Sequence, residues 1–259
     1  MIVDHSRKVA YCEIEKTGVT TWKMVMANNT LNGKRIPAGT DPKKWIHTRL
    51  RQFGLSVEKY SPSRHRTYTK FMVTRHPFDR LISAYYDKAF PNFIRNGNAI
   101  VTQLSKPISN WVISQFHNTD KSINKSDYNA TFWEFVKYAL HRSDKHWSPY
   151  HSKCGECFVD YDFILRTETL NVDAKLFLEK SYPHLTEIPA YNAMRKTKSA
   201  KQNVKTLKFL KEFNQLNDQE VMTLLQKYKL DLEPLGYNYN IESQIASCSF
   251  RDDSGKTCC

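Results

Sequence analysis

Val9-Ala10-Tyr11-Cys12-Glu13-Ile14 is a β-type run, and Glu15-Lys16-Thr17-Gly18-Val19-Thr20-Thr21-Trp22-Lys23 turns it into a helix start rich in hydroxyls. The same grammar recurs in Lys70-Phe71-Met72-Val73-Thr74, followed by Arg75-His76-Pro77-Phe78-Asp79-Arg80-Leu81-Ile82-Ser83-Ala84-Tyr85. A strand, turn and helix in this order aim backbone N–H groups and a positive helix end at one spot, which favours an anion. Two such units, each with a cation in its turn, predict a ligand with two separate anionic groups. Strands each followed by a helix predict an α/β fold with a central parallel sheet flanked by helices.

Working outward, residues 8–14 and 68–74 are expected as strands and 20–28 and 79–89 as the helices that follow them. A further strand is expected over 158–165, with a helix over 168–180. Thr131 and Glu134 make a capping box for a helix whose apolar face begins at Phe132 and Trp133. Residues 205–213 and 217–228 read as amphipathic helices. Residues 30–45 are punctuated by Asn32-Gly33, Pro37, Gly39 and Pro42 and read as loop, with a short helical stretch around 46–55. Residues 91–130 are polar, and Trp111–Phe116 is their one apolar piece. A chain of 259 residues suits one domain, here 1–240, with a tail over 241–259.

The formal charge is +13 and the pI about 9.4, which fits a basic surface with no specific ligand or a polyanionic partner: nucleic acid, an anionic membrane or an acidic polysaccharide. No run of about eighteen apolar residues is present to span a bilayer. Met1 to Lys8 is polar and leads straight into a strand, unlike a signal peptide; the expectation is a cytosolic protein or one whose membrane anchor is missing from these residues. Six cysteines stand at 12, 154, 157, 248, 258 and 259. Cys154-Gly155-Glu156-Cys157 fits a redox pair, half a zinc site (with His146 and His151 close by) or part of a disulfide. Sequons at Asn28, Asn124 and Asn129 agree with a luminal setting.

The first turn is not a Walker A loop, because Lys16 precedes Gly18 and no earlier glycine opens the motif. No acidic strand end offers a magnesium site, so no metal is expected, and Lys16 itself would neutralise leaving-group charge. Gly18 permits close backbone approach, while Thr17, Thr20 and Thr21 offer hydroxyls. In the second turn the Arg75 guanidinium can grip a phosphate bidentately, and Arg80 can pair with an internal carboxylate instead.

At these residues the sequence resembles the Golgi carbohydrate sulfotransferases that use 3′-phosphoadenosine 5′-phosphosulfate (PAPS), the group containing chondroitin 4-O-, dermatan 4-O- and HNK-1 sulfotransferases. The resemblance is carried by Lys16, Gly18, Thr20, Trp22 and Lys23, then by Arg75, Pro77, Phe78, Arg80, Leu81, Ser83, Ala84 and Tyr85. His146-Trp147, Cys154 with Cys157, Tyr161-Asp162-Phe163, Glu168-Thr169-Leu170, Tyr228 to Asp231 and Gly236-Tyr237 follow in the family's order. Glu15 departs from the usual proline, Val19 from cysteine or serine, and His76 from an acidic residue.

The resemblance implies a P-loop-like fold and transfer of a sulfuryl group from PAPS to a sugar hydroxyl. It implies that Lys16, Thr17, Gly18, Val19, Thr20 and Thr21, running on to Trp22, bind the 5′-phosphosulfate, and that Arg75 and Ser83 hold the 3′-phosphate. A general base is needed for the hydroxyl. Related 2-O-sulfotransferases place a histidine between the two phosphate loops, which points to His47, with His146 the second candidate. The implied partner is an acidic, chondroitin- or dermatan-like glycan rather than nucleic acid, met by basic pieces such as Lys43-Lys44, Arg49 to Arg51, Arg64 to Arg66 and Arg195 to Lys198; the implied location is the Golgi membrane. The alternative is an inactive fold that binds polysaccharide or PAP, an alternative that Glu15 keeps open.

Overall fold

The computed structural model describes residues 1–30, 46–89, 94–95, 98–99, 104–120, 122–123, 128–155, 158–183 and 211–237. The chain divides into two compact units, residues 1–75 with 144–198, and residues 76–143 with 199–259.

The first unit is built on a five-stranded sheet in the order β3-β1-β2-β4-β7. Its strands are β1 (Ile2–Asp4), β2 (Val9–Cys12), β3 (Leu55–Val57), β4 (Thr69–Thr74) and β7 (Phe163–Arg166). A separate two-stranded ribbon, β5 (Ile94–Arg95) with β6 (Asn98–Ala99), belongs to the other unit. The expected parallel sheet is β2-β4-β7: Tyr11 pairs with Phe71 and Cys12 with Met72, and Phe71 in turn pairs with Phe163. Beyond it, β1 and β3 add two antiparallel strands that are not expected from the sequence. The reason is Asp4, which makes the opening residues look polar. Its carboxylate is fully buried, yet it accepts from Ser6 Oγ at 2.6 Å and the Arg7 N–H at 3.2 Å, so the charge is satisfied by the turn that follows.

Every residue of β2 is buried, as expected of a strand with neighbours on both sides. Helix α1 (Val19–Thr30) and the helix Leu170–Ser181 supply Trp22, Val25, Met26, Phe177 and Leu178 to the core above Tyr11, Phe71 and Leu165. Phe71 is the hub, 4.6 Å from the Tyr11 ring and 4.2 Å from that of Phe177. Full burial of such rings stabilises by about 1.5–3 kcal/mol each.

Apart from the β5–β6 ribbon, the second unit carries helices at Pro77–Ala84, Ser105–Phe116, Phe132–His141 and Asp218–Lys227. Helix 105–116 extends well beyond the apolar piece expected at Trp111–Phe116. Two capping boxes start helices here, Thr131 with Glu134 as expected and Asn217 with Glu220. Both glutamates are buried and also bind side chains beyond their caps. Glu134 accepts from Tyr128 and His117, while Glu220 accepts from the Trp133 indole N–H at 2.7 Å and pairs with Lys137 at 2.5 Å. Most of the helix expected over 205–213, and the tail 241–259, lie outside the described residues.

Candidate active site

The two turns follow β2 and β4, which are adjacent and parallel, so both emerge from the same end of the sheet. In the first, Lys16 and Gly18 take positive φ values of 72° and 93°. This left-handed backbone suits glycine and is uncommon for lysine, so the turn is held by its surroundings. Thr17 is buried and its hydroxyl donates to the Ile14 carbonyl at 2.7 Å. A Cβ built on Gly18 would meet nothing within 4 Å, so open space faces the backbone where α1 begins. The first N–H groups of a helix have no intrahelical partner, and Val19, Thr20 and Thr21 occupy that position. The turn therefore fits an anion. The Trp22 indole does not reach it; that side chain is 1 % exposed, its ring 5.5 Å from that of Phe71, and its backbone N–H donates to the Gly18 carbonyl. Of the expected loop, Trp22 is thus the residue that serves the core.

Arg75 joins the second turn to the first: its Nη1 donates to the Lys16 carbonyl at 3.4 Å. The Tyr150 hydroxyl receives the Arg75 backbone N–H at 3.2 Å and donates to the Arg75 carbonyl. Ser83 sits in the other unit, half-buried on helix Pro77–Ala84. That helix starts with Pro77 at its first turn and the His76 Nδ1 accepting from the Phe78 N–H.

Residues 144–154 are fastened to both turns. Besides the Tyr150 contact, Cys154 forms a disulfide with Cys12 at the end of β2. This settles the role of Cys154 as half of a disulfide with a distant partner, not of a redox pair with Cys157, which lies outside the described residues. Glu15, the departure that puts a negative charge into the first turn, meets Lys153 at 2.6 Å and Lys145 at 3.7 Å. Its charge is thereby balanced by the fastened segment. No group of three or more metal-ligating side chains occurs among the described residues.

The two candidate bases have opposite surroundings. His47 is exposed, with Nε2 3.0 Å from Thr20 Oγ1 and Nδ1 3.3 Å from Lys23 Nζ. Burial of part of the ring and the Lys23 ammonium push its pKa below the ordinary histidine value. His146 instead has Nδ1 2.5 Å from Asp144 Oδ1, which also accepts the His146 backbone N–H at 2.9 Å. Asp144 is not among the residues expected from sequence, although a carboxylate two residues before a histidine is a visible signal. Glu13, likewise not expected, pairs with Lys23 at 2.6 Å; burial pushes the Glu13 carboxyl up, but Lys23 outweighs it and holds the pKa below the usual range.

A profile of the sulfotransferase family matches residues 1–238. Among curated proteins, carbohydrate sulfotransferase 11 of Mus musculus is 28% identical over 258 residues, covering 95% of this chain and 68% of the relative. Carbohydrate sulfotransferase 8 of Homo sapiens is 30% identical over 189 residues, 69% of this chain and 42% of the relative. Carbohydrate sulfotransferase 14 of Danio rerio is 29% identical over 252 residues, 92% and 62% respectively. No solved structure gives a significant match. No helix among the described residues is long and apolar enough to cross a membrane. The family read from the two turns is borne out: the chain belongs to the sulfotransferase family and is a sulfotransferase related to the carbohydrate sulfotransferases.

Proposed function

We propose that this enzyme transfers a sulfuryl group from PAPS to a hydroxyl of a glycan, with a chondroitin-type glycosaminoglycan as acceptor, in the Golgi lumen. The observation that carries the reading is the meeting of the two turns, where the Arg75 guanidinium donates to the Lys16 carbonyl at the ends of adjacent parallel strands. Two anion-accepting turns so joined suit a donor that is phosphorylated at both ends of one nucleoside.

Bound PAPS supplies a sulfuryl group already activated by its phosphate leaving group. The chain's own residues then supply charge and position. The N–H groups from Val19 to Thr21 hold the anionic end, and the Lys16 ammonium meets the charge that grows on the leaving oxygen, where it stabilises the transition state more than the ground state. Arg75 takes the 3′-phosphate.

The general base is His146. Its Nδ1–H is held by Asp144, which leaves Nε2 as the basic nitrogen and stabilises the imidazolium that forms when a sugar hydroxyl gives up its proton. His47 suits proton removal less, because a lysine ammonium faces its Nδ1. The basic surface, including exposed Arg49, Arg51 and Arg66, suits a polyanionic acceptor.

The test is transfer of radiolabelled sulfate from PAPS to desulfated chondroitin, dermatan, heparosan and glucuronyl-lactosamine. Labelling of chondroitin above the others is the expected result. Labelling of another acceptor would reassign the substrate, and no labelling together with no thermal stabilisation by PAP would overturn the donor as well.

A further inference from the structure

A line of polar contacts runs from a carboxylate to the first hydroxyl of α1. Glu13 Oε2 lies 2.6 Å from Lys23 Nζ, whose side chain is 8% exposed; Lys23 Nζ lies 3.3 Å from His47 Nδ1; His47 Nε2 lies 3.0 Å from Thr20 Oγ1. The donor inventory fixes the direction of each proton. An ammonium only donates, so Nδ1 must accept, and a neutral imidazole that accepts at Nδ1 carries its hydrogen on Nε2. Nε2–H therefore donates to Thr20 Oγ1. The reverse arrangement would aim an Nδ1–H at a lysine ammonium. A threonine hydroxyl that accepts from the imidazole keeps its own hydrogen to give away. Thr20 stands in the first turn of α1, two residues from Gly18, where the backbone is open.

We infer that Glu13, Lys23 and His47 form a positioning relay that sets the Thr20 hydroxyl as a hydrogen-bond donor to a phosphate oxygen held at the first turn. His47 acts through Thr20 and accepts no proton from the sugar. The inference rests on the PAPS reading above and deepens it by giving His47 a part in donor binding. The lowered pKa of His47, from burial and from Lys23, agrees with a ring that stays neutral at neutral pH.

The experiment is calorimetric titration of the full chain with PAP, alongside steady-state transfer from PAPS, on variants whose thermal melts show that they fold. Thr20→Val and His47→Ala should each weaken PAP binding about tenfold, the size expected for a hydrogen bond to a charged group. The double variant should bind no more weakly than Thr20→Val, since the two residues act as one. His47→Gln, whose amide N–H can replace Nε2–H, should restore most of the loss, as should Thr20→Ser relative to Thr20→Val. The KM for PAPS should rise while kcat changes little. A His47→Gln protein with normal PAP affinity and kcat lowered about a hundredfold would make His47 the base and overturn the relay. Additive losses in the double variant would also overturn it. Wild-type protein that binds PAP while His47→Ala binds it equally well sinks the relay alone; wild-type protein that does not bind PAP sinks the donor reading too.

Discussion

His47 and His146 are the same side chain set against opposite charges. Lys23 meets the Nδ1 of His47, and Asp144 meets the Nδ1 of His146. An ammonium forces the imidazole to accept there and leaves hydrogen on Nε2; a carboxylate forces it to donate there and leaves Nε2 basic. The first pattern suits orienting a neighbouring hydroxyl, whereas the second suits removing a proton from one. What separates a base from a positioning group is therefore the sign of the charge behind the ring, and the interval between two phosphate turns cannot reveal it.

The comparison breaks most visibly at His146. His146→Gln is expected to lower kcat by about 10²–10⁴-fold with little change in the KM for PAPS, as loss of a general base does. If His47→Gln gives that loss and His146→Gln does not, the two roles are reversed. Asp144→Asn should follow with a decrease of up to about 10⁴-fold, because an amide cannot stabilise an imidazolium and can hold the ring in the wrong tautomer. Steady-state kinetics across pH checks it: an unchanged kcat would leave Asp144 as a turn former that merely accepts the His146 backbone N–H.

A smaller effect is expected from the bond that fastens residues 144–154 to β2. Cys12→Ser is expected to lower stability by about 2–4 kcal/mol, the usual range for a disulfide, read as a fall in Tm. If the segment's fastening matters to His146 but not to His47, kcat should drop in this variant while PAP affinity holds. Equal loss of both would show that the two regions are not separately supported.

These expectations also mark what the sequence could and could not tell. The two turns were legible because everything that makes them is local: an apolar run, a cation, Gly18 or Pro77, and a helix start. The helix after Thr131 was legible for the same reason, its capping box lying within four residues. The antiparallel strands were not, because Asp4 is made tolerable by Ser6 and Arg7 and because β1 pairs with residues 55–57, far along the chain. Nor could the sequence show what balances Glu15. Lys153 and Lys145 lie far from it in the chain and are brought close by the fold, as is Cys154 to Cys12. His47 stands out by its position between the turns, but the lysine that faces it is visible only in the folded chain.

The finest test of the comparison changes the charge behind His47 without touching the ring. In the wild type His47 titrates below 6.5, lowered first by burial and then by Lys23, with Lys145 acting in the same direction and Glu13 and Glu15 opposing. The native state therefore binds fewer protons than the unfolded chain below pH 6.5. The stability that His47 contributes is complete above that value, falls as the pH drops below it, and stops falling once the ring protonates in the native state. Lys23→Met removes the cation and leaves Glu13, whose carboxylate then favours the imidazolium. The ring pKa should rise toward the ordinary histidine value, and the acid-side loss of stability should shrink. NMR titration of the His47 ring protons reads the pKa directly, and urea unfolding between about pH 5 and 7 reads the stability. An unchanged His47 pKa in Lys23→Met would mean that burial alone sets it, and the contrast with His146 would then lose its electrostatic cause.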